Sequence, residues 1–62
     1  MVDANYLVLH CDGSSELVKE QQHSGVLAVE RAGQLLKEKP EAERIQLTYD
    51  VNGHPELLTI KK

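Results

Sequence analysis

The feature that most constrains this chain is Asn52-Gly53, set between two segments whose apolar residues alternate. A two-residue type I′ turn needs positive φ at both central residues, and Asn-Gly tolerates that best. Such a turn predicts the pairs Val51 with His54, Tyr49 with Glu56, Leu47 with Leu58 and Ile45 with Ile60. One face of the hairpin then carries Ile45, Leu47, Tyr49, Val51, Leu58 and Ile60. The other carries Gln46, Thr48, Asp50, Pro55, Leu57, Thr59 and Lys61. Slipping one strand by a residue would move its whole apolar set to the wrong side, so turn and pattern specify one register. A hairpin with one apolar face needs a cover.

The chain supplies one helix for that purpose. Ala28, Val29, Ala32, Leu35 and Leu36 keep a helical period and make an apolar stripe. Ser24 is a good N-cap. Lys37 and Lys39 suit the negative end of the helix dipole. Pro40 biases Lys39 away from helical angles. The predicted helix covers residues 25–39.

Residues 5–11 (NYLVLHC) read as a strand, and Asp12-Gly13 reads as a hairpin turn. Both faces of that strand are apolar, so either Tyr6 and Val8 or Leu7 and Leu9 could face the helix. Residues 15–22 (SELVKEQQ) are ambiguous. Leu17, Val18 and Gln21 continue the helical period backwards, but His23-Ser24-Gly25 interrupts it with poor helix formers. A helix over 15–39 would also be ~37 Å long, against ~22 Å for 25–39. Strands of about seven residues reach roughly 23 Å, which matches the shorter helix. The expected fold is therefore α+β: a small antiparallel sheet of four strands in the order β-β-α-β-β, covered on one face by one helix. The alternative is β-α-β-β with one long helix and a parallel strand pair.

Tyr6 to Val8, Asp12-Gly13, Leu17-Val18-Lys19, Ala28, Ala32 and Asn52-Gly53 together give the chain a resemblance to a group of small bacterial β-β-α-β-β domains. The Trp of that group's second strand is missing here, and one extra residue follows the turn. The resemblance implies the fold and no activity. The β-α-β-β alternative resembles the layout of small tautomerases. Their chemistry rests on a proline after the initiator Met, and Val2 stands there.

At 62 residues the chain is one domain. A chain this short buries only ~60% of its unfolded surface and has little stability to spare as a monomer. Cys11 is the single cysteine, so no intrachain disulfide can supplement the core. A lone thiol suits a reducing compartment, and a cytoplasmic location is expected. No run is long and apolar enough to span a membrane, so no membrane partner is expected. Net charge is −3, which argues against a free nucleic-acid binder.

Little chemistry is on offer. In His10-Cys11-Asp12 the first two side chains should point to opposite faces, so Cys11 lacks a base and is expected to be a small buried hydrophobe. His10, His23, His54 and Cys11 do not show the paired spacing of a zinc site. Asp50 and Glu56 fall on opposite faces of the second hairpin and make no acid–base pair. Only Tyr6 could serve as an exposed base-stacking aromatic, because the register turns Tyr49 toward the helix. Gly13, Gly25, Gly33 and Gly53 form no phosphate-binding fingerprint.

No catalytic residue, metal site or cofactor is expected, and the chain is not expected to be an enzyme. The leading expectation is a protein-interaction module, a small regulator or inhibitor docking on a larger protein, itself forming a homodimer. Val26, Gly33 and Leu57 are the expected contact surface. Gly33 is a costly residue inside a helix and lies beside Val26, away from the stripe; Leu57 is apolar on the wrong face. The alternative is a small nucleic-acid-binding domain using Lys37, Lys39, Arg44, Lys61 and Lys62.

Overall fold

A computed structural model describes residues 1–62. Its elements are β1 (Val2–His10), β2 (Ser15–Gln22), α1 (Gly25–Glu38), β3 (Ala42–Val51) and β4 (His54–Lys61). They form one four-stranded sheet in the order β2-β1-β3-β4, with every neighbouring pair antiparallel.

The second hairpin has the register that its turn demands. Val51 faces His54, Tyr49 faces Glu56, Leu47 faces Leu58 and Ile45 faces Ile60. Asn52 and Gly53 both take positive φ, 51° and 82°. In the first hairpin Tyr6 faces Val18 and Leu7 faces Leu17. Residues 15–22 are thus a strand, and Ser24 caps a helix that begins afterwards, accepting a hydrogen bond from the Leu27 N–H at 3.3 Å. The long-helix alternative, with its parallel pair, is not what forms. The helix ends at Glu38, and the Lys39 N–H closes it by donating to the Leu35 carbonyl at 3.0 Å.

β1 and β3 pair across the middle of the sheet and α1 lies over them. The core consists of Ala4, Tyr6 and Val8 from β1, Ala42, Ile45 and Leu47 from β3, and Ala28, Ala32, Leu35 and Leu36 from α1. β1 therefore turns Tyr6 and Val8 inward and leaves Leu7 and Leu9 half-buried on the uncovered face. Tyr6 has no exposed surface, and its hydroxyl donates to the Ala28 carbonyl at 3.2 Å. Burial pushes its phenol above the ordinary value. Tyr6 is thus packed, the reading favoured over a free stacking aromatic: the ring lies under the helix, and the hydrogen bond satisfies the hydroxyl there.

Candidate interaction surface

The two flanks of α1 differ. Toward β2, Arg31 grips the Glu20 carboxylate with two guanidinium nitrogens, at 3.0 and 3.3 Å. Its third nitrogen lies 3.5 Å from Glu38. Glu20 holds the guanidinium pKa above its usual value. Further along, Lys39 Nζ stands 2.6 Å from Glu16, whose other neighbour is His10 Nε2 at 3.9 Å. All four ion pairs of the molecule lie between β2, the end of β1 and the outer side of α1.

Toward β4 there is none. Val26, Val29, Gly33 and Leu36 succeed one another at helical spacing and form the flank facing that strand. Leu36 is buried, Val29 is at the margin of exposure and Val26 is 69% exposed. A hollow of about 360 Å³ separates this flank from the sheet, lined by Gly33, Leu36, Lys37, Ile60, Lys61 and Lys62. Nothing lies within 4 Å of the point where a Gly33 Cβ would stand. At the helix start the packing is tight. A Cβ on Gly25 would come within 2.9 Å of the Tyr49 ring.

On β4, Leu58 belongs to the apolar face of the hairpin but is 40% exposed. The reason is width. Four strands span about 19 Å at ~4.8 Å spacing, and one helix with its side chains covers only about 10–12 Å. An edge strand's inward residues therefore lie beyond the cover. Sequence patterning found Val26 and Gly33, and the structure places both on this flank. It missed the exposure of Leu58, because that depends on where the helix sits. Leu57, 65% exposed, lies on the opposite face of β4 and is not brought together with Val26 and Gly33.

The other candidates separate. Cys11 is free and exposed, which corrects the expectation of a buried hydrophobe. It sits just past the end of β1, where its N–H bonds the Glu41 carbonyl at 2.9 Å. His10 Nδ1 is buried without a partner. His23 lies between β2 and α1 and His54 opens β4, so the three histidines do not converge, and no cluster of metal-ligating side chains forms. Among the basic residues, Lys39 is held by Glu16, while Lys62 Nζ donates to the carbonyls of Lys39 and Pro40 at 3.2 and 2.8 Å. Arg44 and Lys61 are cross-strand neighbours on the uncovered face. A second hollow, about 380 Å³, lies beside them and is lined in part by Cys11, Glu43 and Lys62. No helix is long and apolar enough to cross a membrane.

No known family profile, curated protein or solved structure matches the chain.

Proposed function

We propose that this β-β-α-β-β chain is a non-enzymatic interaction module that docks on another polypeptide through β4 and the adjoining flank of α1. One observation carries this reading. The β2 flank is closed by ion pairs, whereas the β4 side has none, exposes Val26 and Leu58, and holds a hollow lined by Gly33, Leu36, Ile60 and three lysines. Contiguous exposed apolar surface on a small protein marks a contact site. An outer strand with free main-chain groups adds a ready means of attachment. The free Cys11 suits a reducing compartment, and the cytoplasm is the proposed location.

The test is affinity capture with the immobilised chain at low density, using three versions of it. The wild type and Lys19→Glu, a change at an exposed position of β2 on the far edge of the sheet, should capture the same polypeptides. Val26→Lys combined with Leu58→Lys should lose them while keeping a dispersed amide spectrum. Equal capture by all three would refute the reading.

A further inference from the structure

The β4 flank can be given a specific occupant, and the inference rests on reading that flank as a contact surface. Val51 and His54 close a two-residue turn, so they form a hydrogen-bonded pair, and alternation fixes the rest of the ladder. His54, Glu56, Leu58 and Ile60 direct their main-chain groups at β3. Pro55, Leu57, Thr59 and Lys61 direct theirs outward. Pro55 has no N–H, which closes the turn end of the edge to pairing. Leu57, Thr59 and Lys61 leave a short run of open donors and acceptors. Charge is polarised along the same hairpin. Its turn end carries Asp50 and Glu56, and its other end carries Arg44, Lys61 and Lys62 against the single acid Glu43.

We propose that the open edge is taken by β4 of a second copy of this chain, antiparallel, with the two-fold axis passing at Thr59. Antiparallel pairing sets the acidic end of each hairpin beside the basic end of the other. At this register Thr59 faces Thr59 of the second copy, and Leu57 faces its Lys61. Toward the helices, Leu58 faces Ile60 of the second copy and Glu56 faces its Lys62. The apolar row Leu47–Leu58 then continues into Ile60 and Ile45 of the second copy. Centring the axis on Leu58 instead would set Glu56 against Ile60. Centring it on Ile60 would set Leu58 against Lys62. On the helix-facing side, only the Thr59 register matches apolar with apolar and acid with base. It exchanges about six main-chain hydrogen bonds and leaves Pro55 outside the ladder. In the single chain Lys62 Nζ donates to the Lys39 and Pro40 carbonyls, and turning to Glu56 of the second copy exchanges those bonds for an ion pair. The two helices stand on one face of a continuous eight-stranded sheet, with Val26, Val29 and Gly33 lining the groove between them.

Sedimentation equilibrium of the full chain from micromolar to millimolar concentration tests this. The wild type should pass from a 6.9 kDa species to one of twice that mass. Thr59→Pro removes an outward N–H that β3 does not use, so it should leave a folded monomer. Glu56→Lys alone and Lys62→Glu alone should each weaken association about tenfold, because two symmetry-related cross-strand pairs turn from attraction to repulsion. The double variant Glu56→Lys, Lys62→Glu should restore it, and a thermal melt of each variant reads separately the loss of the Lys62 bonds to the Lys39 and Pro40 carbonyls. A single 6.9 kDa species at every concentration would overturn the self-pairing. If capture of other polypeptides still depended on Val26 and Leu58, the interaction module would stand without it. A dimer that survives Thr59→Pro would also overturn the proposal, as would one the double variant fails to restore. Either would place the contact elsewhere, such as the uncovered face around Leu57.

Discussion

Leu47 and Leu58 face each other across the second hairpin, yet replacing each by alanine should have very different effects. Leu47 is fully buried between the sheet and α1. Its truncation removes buried carbons and leaves a cavity, which costs about 3–5 kcal/mol. Leu58 is 40% exposed, so about 60% of its surface is removed from water. Three carbons at roughly 0.8 kcal/mol each, scaled by that fraction, give about 1.4 kcal/mol, and no closed cavity adds to it. A domain of this length has about 3–9 kcal/mol of total stability. Leu58→Ala should therefore lower the melting temperature by about 6–11 °C. Leu47→Ala should remove from about a third to all of that stability. Urea titration followed by circular dichroism reads both, at a concentration low enough that association adds nothing to the apparent stability. Losses within about 0.5 kcal/mol of each other would refute the argument, because they would mean that α1 covers β4 as fully as β3.

Three further outcomes are expected. Gly53→Val should be severely destabilising, because φ is 82° there and a β-branched residue resists it, whereas Gly53→Asn should be mild; thermal melts compare them. Gly33→Ala should raise the melting temperature by several degrees, since the helix gains about 1 kcal/mol and the new methyl meets open space; an unchanged or lowered value would show that the flank is already occupied. Tyr6 is held protonated by burial, so its contribution is complete below the ordinary phenol value and is lost as pH rises through that value toward the raised one. Wild type should therefore lose stability above about pH 10, and Tyr6→Phe should flatten that loss in a denaturant series run against pH.

The second hairpin was legible because two independent signals, the turn dipeptide and the alternation, demand the same register. Residues 15–22 were not, because Leu17, Val18 and Gln21 satisfy a helical period as well as a strand. Pairing with β1 decides the matter, and that is a tertiary contact. The inward face of β1 was equally hidden. Tyr6 wins over Leu7 through its place opposite Val18 and its hydroxyl bond to Ala28, neither visible in an all-apolar run. On the candidate surface, Val26 and Gly33 could be found from helical spacing alone. Leu58 could not, since its exposure follows from the width of one helix over four strands. Cys11 was misjudged because a residue at the edge of a tight turn is carried out of the core whatever its affinity for it.

The strand order β2-β1-β3-β4 has a consequence for how the chain is made. Each hairpin closes over a short loop, but the central β1–β3 pairing joins segments separated by β2 and the whole of α1. Loop closure makes that step the entropically costly one. During synthesis the first hairpin and the helix emerge before β3 is available. Until then the inner edge of β1 is bare, and Tyr6 and Val8 lack Leu47 and Ile45 opposite them. A partly made chain thus carries its stickiest strand unguarded. Insertion of β3 both completes the core and removes that hazard, which makes β3 the strand whose delayed arrival or mutation should matter most for yield in the cell.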